Sequence, residues 1–177
     1  MTHSAHRDRD DAGLGLIELI VAIVVSGIVV GAIVMIFVNS WKTQEEVTSV
    51  SQATTRGQLI GSTIERAMRN AIEFEVSSGG TELRVRTTLD GSLRCQGFRL
   101  TADSARFTTS SGALTGDASA WPAWQTGIAA RGTTAFFAAA GDTVTYTFDI
   151  TTESAPVRFA GEASTRTPTT GVSSPCW

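Results

Sequence analysis

The chain has 177 residues, 42% hydrophobic and 18% charged, a balance that suits one folded domain plus a membrane segment and excludes a disordered chain. Its net charge of −3 gives no global attraction to nucleic acid, and of 14 basic residues only Lys42 is lysine. Two cysteines are too few for a thiolate zinc site, and both histidines, His3 and His6, precede the first apolar run.

That run is the first element. Leu19 to Val38, "LIVAIVVSGIVVGAIVMIFV", is uncharged throughout. At about 1.5 Å per residue its length matches the roughly 30 Å of a bilayer core, so it reads as a membrane span. Trp41 follows either at interface depth or against the protein's own folded part. Arg7 and Arg9 precede the span and Lys42 follows it, which favours a single pass through the cytoplasmic membrane with a cytoplasmic N-terminus and an exported C-terminal domain. A secretory signal peptide fits poorly, because the run is long, begins beside the acid Glu18 and ends in "FVNSW" with no small-residue cleavage site.

An acid at the edge of a span costs a few kcal/mol unless it reaches the interface or finds a partner. In a simple membrane-anchored exported domain, Glu18 would snorkel and residues 1–13 would be kept. The surrounding residues, "GLGLIEL", instead resemble the processing site of type IV prepilins: a polar leader ending in Gly, an apolar residue, and Glu as the fifth residue after the cut. The resemblance covers about the first 41 residues. Gly15 stands where Thr or Ser is more usual, and no proline interrupts the helix. It implies that a membrane peptidase and methyltransferase cuts between Gly13 and Leu14 and methylates the Leu14 amine. That cationic amine, at the head of an apolar helix, needs an anion, and Glu18 of the same or a neighbouring subunit can supply it in a core of low dielectric. The implied partners are other pilin subunits, the peptidase, a membrane assembly platform and, before assembly, the bilayer. The final location is a cell-surface filament. The reading is of a minor pilin or pseudopilin, on account of a long irregular insertion and an unusual disulfide span.

Within the span, Gly27 and Gly31 form a G-x-x-x-G pair, which lets helices approach closely in lipid but is also common in membrane helices generally. Beyond Trp41, Val47, Val50, Ile60, Ile64, Met68 and Ile72 recur at helical spacing, with Thr54 and Gly57 filling intermediate turns. No proline separates this face from the span, so one helix is expected from Leu14 to about Phe74. The expected division is a leader (1–13), a membrane or filament-core helix (14–41), an amphipathic helix (42–74) and an exported head (75–177).

"SSGGTEL" punctuates the chain, and "TELRVRTTL" then alternates, with Leu83, Val85, Thr87 and Leu89 on one face. Asp90 and Gly91 predict a hairpin turn leading to "SLRCQGFRL" and "SARFTTS". "TVTYTFDI" and "PVRFAGEAST" read as a further antiparallel pair. The fold class is α+β: a long N-terminal helix packed on an antiparallel sheet, as the pilin resemblance also implies. Residues 112–141 are rich in small residues, lack a clear period and are the place for any specific contact.

In an exported protein Cys95 and Cys176 are most simply one disulfide, with free or intermolecular thiols as the alternative. Closing a loop of this length, about 80 residues, is worth about 4 kcal/mol on the chain-entropy model and would pin the polar C-terminal tail. Nothing suggests an enzyme: cleavage at Gly13 removes both histidines, no nucleotide or hydrolase motif is present, and no cofactor or metal is implied. DNA binding is the remaining alternative. Arg84, Arg86, Arg94 and Arg99 lie on neighbouring predicted strands, and Trp121 and Trp124 in "WPAW" offer aromatic faces. Glu82, Asp90 and Asp103 dilute that patch, and solvated arginines with core tryptophans are the ordinary reading.

Overall fold

The structure, a computed structural model, describes residues 15–88, 92–166 and 176–177. The chain forms two compact units, divided between Gln44 and Glu45. Helix α1 (Leu16–Arg69) supplies residues to both.

In the first unit the helix is bare. Every large apolar residue from Leu16 to Val38 is 45–77% exposed, and the helix is long and apolar enough to cross a membrane. The Trp41 ring lies tilted beside that of Phe37, one turn earlier, with ring centroids 6.1 Å apart.

In the second unit the same helix acquires a buried stripe. Ala53, Gly57, Ile60, Gly61, Ile64, Ala67 and Met68 recur at three- and four-residue steps and are buried. Val47 and Val50, expected on that stripe, are 63% and 37% exposed. The head meets the helix there through a polar loop, where the Glu153 N–H donates to Ser49 Oγ, and not through an apolar strand face.

The helix stops at Arg69, five residues short of the expected Phe74. Asn70 closes its last turn, with Nδ2 donating to the Arg66 carbonyl at 2.8 Å and its N–H to that of Ala67 at 3.1 Å. Ala71–Ser77 then forms strand β1, registered with Phe74 opposite Val85 and Val76 opposite Leu83. Ile72 suits the helical period, but pairing with the next strand decides the segment.

Two antiparallel sheets replace the single expected one. The first has the order β1, β2 (Glu82–Thr87), β3 (Arg94–Thr101), β4 (Ser104–Ser110), β5 (Ala123–Thr126). In the second, β8 (Thr143–Ile150) pairs with β9 (Val157–Ser164) on one side and with β6 (Ile128–Ala129) and β7 (Phe137–Ala140) on the other. The segment 112–141 thus contributes strands to both sheets. Gly127, at φ 78°, makes the switch between β5 and β6, a backbone angle that other residues rarely adopt. The predicted Asp90–Gly91 turn and Leu89 lie outside the described residues.

One core joins helix and sheets. Ile60, Ile64 and Met68 meet Leu83, Val85, Phe98, Leu100, Phe137, Val144, Phe148 and Ile150. Burial of each of these large side chains is worth about 1.5–3 kcal/mol. Contact is close because the helix is notched: a Cβ on Gly57 would lie 2.1 Å from the Phe159 ring.

Candidate functional site

Glu18 sits in the first turn of α1, its N–H donating to the Gly15 carbonyl at 2.9 Å. A carboxylate there is favoured by the helix dipole. Gly13 and Leu14, the expected cleavage and methylation positions, lie outside the described residues. A Cβ added to Gly27 or Gly31 would meet nothing within 4 Å. Four residues apart, these glycines leave a strip of bare backbone among exposed aliphatic side chains, a surface that another helix can approach closely.

The four arginines singled out in the sequence are not one patch. Strand register places Glu82 opposite Arg99, Arg84 opposite Gly97 and Arg86 opposite Cys95, so Arg84, Arg86 and Arg99 share the sheet face turned away from the helix. Arg106, opposite Arg99, joins them, whereas Arg94 pairs with Thr87 on the other face and is exposed. Glu82 is the hub of this face. Its side chain is 3% exposed, accepts a hydrogen bond from Arg84 Nε and lies 3.9 Å from Arg99 Nη1. Arg99 also approaches Asp117 at 3.8 Å. Hydrogen bonds from Ser119, side chain first and then backbone N–H, hold the Asp117 carboxyl below the usual carboxylate range, and Arg99 adds to this. Arg86 is buried, with Nε and Nη1 making no hydrogen bond among the described residues; Glu73, its registered neighbour on β1, has Oε2 in the same condition.

The polar face expected to be solvated is roofed over. Trp121 lies on Gly97, where a Cβ would come within 2.3 Å of the indole, and the Arg84 guanidinium stands 5.9 Å from the ring centroid. Arg106 Nη1 donates to the Trp121 carbonyl at 2.6 Å. Leu114, Ala118 and Trp121 form a small second core with the disulfide between Cys95 and Cys176, whose Cα atoms are 5.5 Å apart. The Leu114 N–H donates to the Cys176 carbonyl at 2.9 Å, so the bonded cysteine is also part of the roof. Residues 167–175 of the tail lie outside the described residues.

Trp124 is on the opposite face, against Phe98 and Phe107 with centroids 6.4 and 5.2 Å away. The two tryptophans of "WPAW" therefore form no common stacking platform. One contact had no clear sequence signal: Tyr146 Oη donates to Glu65 Oε1 at 2.8 Å, with the ring fitted between Gly61 and Gly161. Only the pairing of small residues with a single tyrosine hints at it.

Residues 8–34 match a family described as the prokaryotic N-terminal methylation motif. No curated protein and no solved structure matches the chain.

Proposed function

We propose that this chain, which carries a prepilin-type methylation motif ahead of a long apolar helix in an α+β pilin-like architecture, is a minor pilin or pseudopilin: a structural subunit of a type IV pilus-like filament. The observation that carries the reading is a coincidence within one helix. The large apolar residues of the described part of the motif, Leu16 to Val34, are exposed, whereas Ile60, Ile64 and Met68 further along are wholly buried. Apolar side chains in such numbers need lipid or other helices around them. The motif points to a structural pilin rather than an enzyme.

In this reading prepilin peptidase removes residues 1–13, and Leu14 becomes the methylated N-terminus. Residues 14–41 lie first in the bilayer as a single pass, N-terminus inside and head exported, and then in the filament core. The Glu18 carboxylate balances the Leu14 amine of its own or a neighbouring subunit. In a dry core the attraction is strong and an unmatched charge is costly, so the pair sets the axial register of subunits. Gly27 and Gly31 let a neighbouring helix approach. Intact mass and N-terminal peptide mass spectrometry on protein from its native membrane test the proposal. A chain starting at N-methylated Leu14 is expected; a chain starting at Met1 or Thr2, in cells with active prepilin peptidase, overturns it in favour of a plain membrane anchor.

A further inference from the structure

Strand β9 pairs with β8 along its length, and among the described residues nothing hydrogen-bonds its other edge. Eight residues of open edge, with no proline inside, form a ready template for another strand. Proteins commonly blunt such edges with charge, and β9 carries two charges, Arg158 and Glu162, placed symmetrically about Ala160. Both are on the outer face and exposed, as is Ala160. Arg158 reaches Asp149 Oδ1 only at 3.7 Å and its side chain stays 59% exposed, so its donors remain open to a second acceptor. Glu162 has no hydrogen bond or ion pair among the described residues.

We infer that β9 is an interface for a second copy of this chain, the two strands pairing antiparallel about Ala160. In that register Arg158 of each copy lies opposite Glu162 of the other, which gives two cross-strand ion pairs, and Ala160 lies opposite Ala160. A shift of two residues in the pairing sum leaves both charges opposite uncharged residues. A shift of four sets Arg158 opposite Arg158 or Glu162 opposite Glu162. The charges therefore select one register, and edges that are otherwise prone to slip become specific. The relation is two-fold and closes after two chains. It also reverses chain direction. Resting on the filament reading above, such a contact joins two filaments and is absent between successive subunits of one polar filament.

The test uses the full chain in detergent with Ala160→Cys. The described cysteines are paired with each other, so the new thiol reports alone, and paired residues at 4.5–5.5 Å Cα separation are close enough to bridge. Mild oxidation is expected to give a cross-linked dimer. Adding Glu162→Arg, or separately Arg158→Glu, is expected to cut the dimer at least tenfold. Mixing the two charge variants is expected to restore it, because each then meets its opposite; that recovery also certifies that both variants fold. No dimer from Ala160→Cys, undiminished dimer in either charge variant, or no recovery on mixing overturns the inference. None of these readouts requires cleavage at Gly13, so the processing and the pairing can fail separately.

Discussion

The Tyr146 hydroxyl donates a 2.8 Å hydrogen bond to Glu65 Oε1, tying β8 to α1 across 81 residues of sequence. Burial, and then the Glu65 carboxylate that accepts its hydrogen bond, push the Tyr146 hydroxyl above its ordinary range. A folded-state value above the unfolded one means that the folded chain holds this proton longer. The contribution is fully present below about pH 10 and is lost as the pH rises beyond it toward the folded value. Tyr146→Phe should lower stability by about 1–2 kcal/mol at neutral pH and flatten the decline above pH 10. As the chain has a single tyrosine, urea midpoints between pH 8 and 11, read beside tyrosinate absorbance, report this directly.

Gly57→Ala should be destabilising although it sits inside a helix. Propensity alone favours alanine by about 1 kcal/mol. The added methyl would meet the Phe159 ring at 2.1 Å, and overpacking of that kind costs about 1–3 kcal/mol. Gly27→Ala has open space around it and should leave the melting temperature of the head unchanged while reducing incorporation into filaments. Calorimetry and a sheared-filament fraction separate the two effects.

Replacing Cys95 and Cys176 together by serine removes a bond across a sequence separation of 81. The expected loss is about 4 kcal/mol, from the extra freedom of the unfolded chain. Because Cys176 also accepts from Leu114, the roof should loosen as well. Red-shifted tryptophan emission below the unfolding midpoint is the expected signature, from Trp121.

Glu82→Gln should cost more than Arg99→Ala. The acid accepts a hydrogen bond from Arg84 and pairs at longer range with Arg99, and its side chain is 3% exposed against 25% for Arg99. Losing the acid leaves two guanidinium groups facing each other under a roof, about 2–3 kcal/mol, whereas losing Arg99 leaves Glu82 still bonded to Arg84, about 1 kcal/mol. Chemical denaturation of both variants gives the order.

Glu18→Ala should be cleaved and methylated like the parent but should not enter filaments. The carboxylate is offered as the partner of the Leu14 amine after processing, not as part of the cleaved bond. Immunoblotting of membrane and sheared fractions reads both steps, and normal assembly of the variant would remove the role assigned to Glu18.

The apolar faces of two alternating strands were legible in the sequence. The alternation in "TELRVRTTL" and "TVTYTFDI" gives the buried faces Leu83–Val85–Thr87 and Val144–Tyr146–Phe148–Ile150 directly. The helix end was not, because "AIEFEV" satisfies both periods over a short stretch and its partner, β2, comes later in the chain. Glu82 looked like a surface acid for a similar reason. It is buried with Arg84 and with Arg99, which strand pairing sets opposite it from 17 residues further along the chain.

By itself the sequence determined the apolar run, the glycine and glutamate spacing ahead of it and the long helix, and it favoured the pairing of the two cysteines that the structure shows. These depend on hydrophobicity, local period and chemical identity, which a linear chain states outright. Only the tertiary structure decided that the head has two sheets, that an arginine-bearing face is closed by a roof and that β9 has an open edge. Those outcomes depend on strand register and on which distant segments meet, and register is fixed by packing across the core, not by any one stretch of residues.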